Sequence, residues 1–473
     1  MQPIRVLNYY VNPSYLVLGA IEFGVLMLAA WSGVWLRFRG DAERFEINMQ
    51  GALPSFVCFA LVLVALTIAM RVYPARFREG QTGMAVRTVV AYFLLGAIAL
   101  SGINELLPVF FLGHGVLVWA LPLALVYVTL LRLLFFSVTD ASKLARRVLV
   151  LGAGSRAQLL WQRMGGSTGK PGIEITGFVP LPGQPADIPA ELQRPCHGDL
   201  LGVATALGVT EIVVAVDERR SSEGGSYPLD ALLDCKLSGI AVIESVSFLE
   251  RELEKVEIDL VRPSWLVFSE GFRLSTSRDV VKRLFDLAAS LTLLAVAWPF
   301  MLLTALAIWL ESGLHGPVLY RQQRAGLNGK PFMLVKFRSM RTDAEKDGRA
   351  VWASANDDRI TRVGRFIRNT RLDELPQLWN VIRGDMSFVG PRPERPEFVR
   401  ELAAQIPYFD ERHRVKPGLA GWAQLCFPYG ASVEDAAEKL RYDLYYIKNH
   451  SILMDLLILI QTVEVVLVGG GAR

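Results

Sequence analysis

The chain has 473 residues, 52% of them hydrophobic and 20% charged, with a net charge of +4. That length and that apolar share exclude a single soluble domain of ordinary make-up and point to a multi-domain membrane protein. So small a net charge, with no basic block standing apart from the apolar segments, argues against a nucleic-acid partner. The four cysteines, Cys58, Cys196, Cys235 and Cys426, have neither metal-ligand nor disulfide spacing, which fits a reducing compartment.

Four apolar segments come first, at about 15–36, 53–70, 86–104 and 109–136. Each is near the ~20 residues a helix needs to cross the hydrocarbon core. They predict a four-helix transmembrane bundle over 1–140. Residues 1–15 lack a charged n-region and a small-residue cleavage site, so the first segment is expected to be retained. Ser101, Asn104 and Glu105 crowd the end of the third segment. Arg71, Arg76, Arg78 and Arg87 lie between the second and third segments, and Lys143, Arg146 and Arg147 follow the fourth. The third-to-fourth connection has no Lys or Arg, so both ends of the bundle are expected in the cytoplasm. Arg37, Arg39 and Arg44 in the first outer loop oppose this, but Asp41, Glu43 and Glu46 accompany them.

Residues 145–275 read as a Rossmann-like α/β domain. The run RRVLVLGAGSRAQLL gives a strand, the turn Gly152-x-Gly154-x-x-Ala157 and a helix. EITGFV (174–179) and EIVVAV (211–216) are further strands. A lone glycine motif of this kind fits a structural or regulatory fold better than a working nucleotide site.

The next apolar run, 280–312, has no charge from Leu287 to Leu310. It is long enough to span. Yet Pro299 lies near its middle, and Lys and Arg dominate both flanks. A fifth crossing would place an arginine-rich region outside, so a re-entrant helix broken at Trp298–Pro299 is expected.

Residues 278–473 form the third expected domain, an α/β unit that begins with that helix. VLYRQQ and PFMLVKF predict a hairpin turning near Asn328–Gly329. Five arginines (Arg359, Arg362, Arg365, Arg368, Arg371) then recur every third residue and run into Asp373–Glu374. A cationic stripe ending at two carboxylates suits a polyanion held with a divalent cation. Asp373 falls near the start of a helix, where it either caps backbone amides or stays ionised as a nucleophile. Arg368 and Arg371 suit a diphosphate clamp. Strand alternation sends Lys336 and Arg338 to one face, as a solvated edge or as a cationic wall. Prolines on both sides fix Arg392. Trp422 suits an interfacial anchor, and Asp443 sits among aromatics as a structural or a catalytic acid. The apolar C-terminal segment, with only Asp455 and Glu464 charged, is expected to lie on the membrane or dock against the re-entrant helix, with a second short crossing as the alternative.

KFRSM, RNTRLDELPQLWNVIRGDMSFVGPRP, VKPGLAGWAQ and YDLYYIKN together resemble the bacterial sugar transferase family, the monotopic polyprenyl-phosphate phosphoglycosyl transferases. The four-helix start and Rossmann-like middle resemble its large members, which initiate exopolysaccharide or O-antigen synthesis. The resemblance implies Asp373 as nucleophile, Glu374 as its required neighbour, and Mg²⁺ at that pair. It assigns Lys336, Arg368 and Arg392 to the substrate and matches Pro299 to a re-entrant break. The implied reaction moves a hexose-1-phosphate from a UDP-sugar to undecaprenyl phosphate, releasing UMP through a phospho-aspartate. The implied setting is the bacterial inner membrane, with the catalytic domain on the cytoplasmic face among membrane lipids; a homodimer is compatible with it. Small members carry a basic residue after WAQ where this chain has Leu425-Cys426-Phe427-Pro428, which leaves the sugar open.

Two alternatives belong to other classes. A membrane-anchored NAD-dependent nucleotide-sugar dehydratase or epimerase needs a Tyr-x-x-x-Lys pair, and no tyrosine here has Lys four residues later. A non-catalytic membrane scaffold would not need the acidic pair or the phosphate motifs.

Overall fold

A computed structural model describes residues 4–6, 9–11, 13–70, 72, 84–138, 145–166, 169–170, 172–196, 198–217, 227–261, 263, 265, 271, 276–342, 358–427, 430 and 432–468. Arg71, Arg76, Arg78 and Lys143, used above for orientation, lie outside them. The chain divides into two compact units, Met1–Phe248 and Leu249–Arg473.

The first unit opens with a short antiparallel pair, β1 (Ile4–Val6) and β2 (Tyr9–Val11). Helices α1 (Pro13–Phe38), α2 (Ala42–Met49), α3 (Leu53–Ala69), α4 (Met84–Leu106) and α5 (His114–Val138) follow. Among the described residues four helices are long and apolar enough to cross a membrane: Val17–Phe38, Met84–Leu106, His114–Phe135 and Arg278–Glu311. The expected second span appears as part of a bent pair, α2 and α3, at 71°. Two charges inside these apolar helices neutralise each other. Arg132 of α5 donates to both carboxylate oxygens of Glu22 in α1, at 2.6 and 3.0 Å, and both are buried. An ion in so apolar a bundle persists only when paired.

The α/β part has a five-stranded sheet in the order β4-β5-β3-β6-β7. Its members are β3 (Arg146–Leu151), β4 (Gly169–Lys170), β5 (Ile173–Val179), β6 (Glu211–Val214) and β7 (Ala241–Glu244). All neighbours are parallel except β4–β5. Helix α6 (Ser155–Arg163) leaves the glycine turn, as its motif predicts, and α7 (Leu200–Ala206), α8 (Leu229–Leu237) and α9 (Ser245–Leu253) follow. The first amides of α6 are already occupied. The Asp217 carboxylate accepts from Ser155 N and Arg156 N, each at 2.8 Å, and from Ser155 Oγ at 3.0 Å. A Cβ on Gly154 would lie 2.1 Å from Asp217 Oδ2, so glycine is needed to admit this internal anion.

The second unit is organised around α10 (Thr276–Glu311), 36 residues long. Helix runs through Pro299, where the sequence suggests a break; the lost N–H bond does not end the element. Residues on its central stretch, Leu291, Val296, Phe300, Leu302 and Leu303 among them, are exposed. Both ends are anchored. Near the start, Lys282 Nζ sits 3.0 Å from Asp286 Oδ1 and 2.9 Å from Asp455 Oδ2. Asp286 also accepts from Ser387 Oγ at 3.0 Å and Phe388 N at 3.1 Å. At the far end Ile308 packs with Phe337 and Ile367, and Glu311 accepts from Val363 N at 3.1 Å.

The hairpin of β8 (Leu319–Ala325) and β9 (Pro331–Phe337) turns through Asn328 and Gly329, both at positive φ, as read from the sequence. Helices α11 (Arg362–Asn369), α12 (Leu378–Arg383), α13 (Pro396–Gln405), α14 (Trp422–Cys426), α15 (Val433–Asn449) and α16 (Ile452–Val468) complete the unit. Strands β10 (Ser387–Val389) and β11 (Gly418–Ala420) pair in parallel. Helix α16 docks on the start of α10 through fully buried Asp455, which takes both Lys282 and the Tyr446 hydroxyl at 2.8 Å. Trp422 is a core residue rather than an interfacial anchor; it is buried and donates to the Glu254 carbonyl at 3.0 Å.

Lys282→Ala would leave Asp286 and Asp455 buried without their cation. We expect a loss of about 3–5 kcal/mol from this unit. Thermal unfolding in detergent checks it, and Lys282→Arg should recover much of the loss.

Candidate functional site

The acidic pair lies in a two-turn 3-10 helix, Leu372–Gln377, that runs into α12. This helix begins two residues earlier than a cap at Asp373 would place it. Its cap position is Arg371, in a left-handed conformation (φ 59°), so Asp373 sits in the first turn and does not act as the cap. The left-handed residue reverses the chain between α11 and the acidic pair. On the other side, fully buried Asn380 of α12 accepts from Val335 N at 3.0 Å and donates to the Met333 carbonyl at 2.8 Å. This pair of hydrogen bonds ties β9 to α12, and Lys336 of β9 lies near enough to Asp373 for their charges to couple. Gly364 lets α11 approach the end of β9; a Cβ there would meet the Ser339 carbonyl at 2.0 Å. Arg368 Nε then reaches Ser339 Oγ at 2.9 Å.

The two carboxyls differ in environment. Burial alone would raise Glu374, but ion pairs outweigh it: Arg392 Nη2 lies 2.9 Å from Oε1 and Arg371 Nη1 lies 3.7 Å away. Its carboxyl is held below the ordinary range. Asp373 is 8% exposed. Burial, then the neighbouring Glu374 charge, pushes it up to about 6 against the pull of Lys336, Arg368 and Arg392. The arginines and helix dipole are expected to keep it ionised; desolvation raises its basicity without preventing that at neutral pH. The result is a carboxylate ionised at neutral pH yet more basic than usual. Burial also lowers Lys336, helped by Arg324 and opposed by Asp373, to about 8.

Of the residues singled out in the sequence, the fold gathers Asp373, Glu374, Lys336, Arg368, Arg371 and Arg392. Arg338 goes elsewhere. Strand β9 ends at Phe337, and the Arg338 guanidinium turns to Ser312 Oγ at the end of α10. Asp443 is buried on α15 and paired with Arg412 at 2.8 Å. Arg362 and Arg365 are exposed on α11. Arg324 and Arg412, isolated in the sequence, hold the Arg392 turn from two sides: Arg324 Nη1 donates to the Pro393 carbonyl at 3.2 Å and Arg412 Nη2 to the Arg392 carbonyl at 3.1 Å.

Asp373 and Glu374 are the hard oxygen donors here. Among the described residues no three His, Cys, Asp or Glu side chains gather as a metal site. This donor set suits a Mg²⁺ ion that takes its remaining ligands from phosphate and water, and does not suit an all-protein cage.

Comparison with known proteins places this site in a family. The model for "Bacterial sugar transferase" matches residues 277–469. The chain is similar to the UDP-N-acetylgalactosamine-undecaprenyl-phosphate N-acetylgalactosaminephosphotransferase of Aeromonas hydrophila, 41% identical over 243 residues, 51% of this chain and 56% of that protein. It is similar to the undecaprenyl-phosphate glucose phosphotransferase of Komagataeibacter xylinus, 45% identical over 188 residues, 39% of this chain and 35% of the relative. It is also similar to the UDP-glucose:undecaprenyl-phosphate glucose-1-phosphate transferase of Caulobacter vibrioides, 45% identical over 188 residues, 39% of this chain and 69% of that one. The match thus spans less than two thirds of the first two of these relatives.

Lys336 carries its charge below about pH 8 and loses it above. Affinity for sulfate, whose own charge is fixed over this range, should therefore fall as pH rises from 7 to 9. Titration calorimetry checks this, and Lys336→Arg should flatten the profile because a guanidinium does not titrate there.

Proposed function

The chain belongs to the bacterial sugar transferase family, and on that premise we propose that it transfers a hexose-1-phosphate from a UDP-sugar to undecaprenyl phosphate. One observation carries the reading: a buried, basic carboxylate at Asp373 stands beside a neutralised Glu374, inside a ring of Lys336, Arg368 and Arg392. That ring suits the four phosphoryl oxygens of a diphosphate, and the carboxylate suits attack on phosphorus.

In this reading an Asp373 oxygen bonds to the β-phosphorus as the bond to the bridging oxygen breaks. UMP departs with that oxygen and its electron pair. The sugar-phosphate is left on Asp373 as an acyl-phosphate. A phosphate oxygen of the lipid then attacks the same phosphorus, the acyl–phosphate bond breaks, and Asp373 returns as a carboxylate. No net proton transfer is needed. Glu374 holds Arg392 and Arg371 in place and lowers the chance of a second protonated acid at the site. Asp373 and Glu374 would hold Mg²⁺ together with the donor phosphates. Its chemistry is to offset charge on the phosphoryl oxygens.

The anchoring of α10 supports a re-entrant path on the cytoplasmic face of the inner membrane. A straight helix of 36 residues is about 54 Å long, more than a bilayer core. Yet Lys282–Asp286 at one end and Ile308–Glu311 at the other both bond to the same compact unit. A helix crossing once would carry those ends to opposite sides. A re-entrant path requires this continuous helix to bend within its apolar, exposed middle, where Pro299 lies. Asp217, lodged where a nucleotide phosphate would bind, supports a structural or regulatory role for the α/β domain.

Asp373→Asn should abolish UMP release from a UDP-sugar even without lipid acceptor, measured by chromatography of the released nucleotide. Turnover by this variant near the wild-type rate would sink covalent catalysis. EDTA should stop turnover, and added Mg²⁺ should restore it.

A further inference from the structure

Arg412 lies on the 3-10 turn Phe409–Arg414, outside every motif that marks the site. Its side chain is 6% exposed, so its charge is largely removed from water. The guanidinium has three partners. Nη2 lies 2.8 Å from Asp443 Oδ2, the same nitrogen donates to the Arg392 carbonyl at 3.1 Å, and the group stands 5.1 Å over the Phe409 ring.

We infer that Arg412 is a positioning residue: it holds the backbone of Arg392 so that the Arg392 side chain meets Glu374 and an incoming diphosphate together. The chain of bonds is short. Asp443 on α15 fixes Arg412, Arg412 fixes the Arg392 carbonyl, and Arg392 Nη2 holds Glu374 Oε1 at 2.9 Å. Arg324 grips the next residue's carbonyl at 3.2 Å, and the Ala325 amide bonds the Glu394 carbonyl at 2.9 Å. Pro391 and Pro393, both buried, remove the remaining backbone freedom.

Energetics favour a placed role over a merely cohesive one. A buried ion pair gives little net stability over an apolar pair of the same volume. Arg412 nonetheless spends a donor on one carbonyl of the site's central arginine. Asp443 is then the anchor of this support, which accounts for a buried acid that does not reach the acidic pair. Small displacements of a clamp group cost large factors in binding and rate.

This inference rests on the proposed reading only in calling the bound anion a donor diphosphate, so the test uses inorganic pyrophosphate on the full-length protein. Arg412→Lys keeps a charge opposite Asp443, but its shorter, non-planar end does not hold the Arg392 carbonyl in the guanidinium's geometry. Pyrophosphate affinity, by titration calorimetry, should fall about tenfold in Arg412→Lys, with the melting temperature within a few degrees of wild type. Arg392→Gln should fall at least as far. The double variant should fall no further than Arg392→Gln, because Arg412 acts through Arg392. Asp443→Asn should also weaken binding, and decides the matter if Arg412→Lys melts early. Equal affinity in wild type, Arg412→Lys and Asp443→Asn, or fully multiplicative losses in the double variant, would overturn the inference. Wild-type binding of pyrophosphate without turnover of any UDP-sugar would instead overturn the proposed function and leave Arg412 its role.

Discussion

Everything at the site depends on how one arginine divides two adjacent carboxyls. Arg392 pairs with Glu374 at 2.9 Å, and Arg371 adds to it. Glu374 is thereby fixed as an anion whose charge is spoken for. Asp373 receives weaker compensation and more burial, so its carboxyl rises to about 6. Two adjacent acids in the sequence become unlike groups in space: one a counter-ion, the other more basic than usual and still ionised near neutrality.

The fold is arranged to keep that division. Asn380 joins α12 to β9, the strand that carries Lys336. Gly364 and Ser339 bring α11 and Arg368 in from the other side. Arg324 and Arg412 hold the proline-flanked turn that carries Arg392. Beneath this, the buried cluster of Lys282, Asp286, Asp455 and Tyr446 fastens α10 and α16 to the same unit. An apolar membrane helix is thus attached at both ends to the domain that carries the charges.

Much of this was legible in the sequence, for definable reasons. Hydrophobic length marked the apolar helices, the Asn328–Gly329 turn marked the hairpin, short apolar runs marked the parallel strands, and the arginine spacing led to Asp373 and Glu374. What escaped depended on where elements stop and on what lies across from them. Lys336 and Arg338 share a face only while a strand continues; β9 ends at Phe337, so Arg338 turned to Ser312. Trp422 read as an anchor because burial by the Glu254 segment is a long-range fact. Asp443 met Arg412, an arginine with no local pattern to mark it. The raised basicity of Asp373 was not legible, since charges can be counted along a chain but desolvation cannot. Asp217 likewise lies more than sixty residues from the amides it occupies.

The most direct test is intact-protein and peptide mass spectrometry after mixing the purified protein with a UDP-sugar and Mg²⁺ in the absence of lipid acceptor. The account predicts a mass increase of one sugar-phosphate, located on Asp373 and discharged when undecaprenyl phosphate is added. No adduct at any time point, with UMP formed only once the lipid is present, would contradict it.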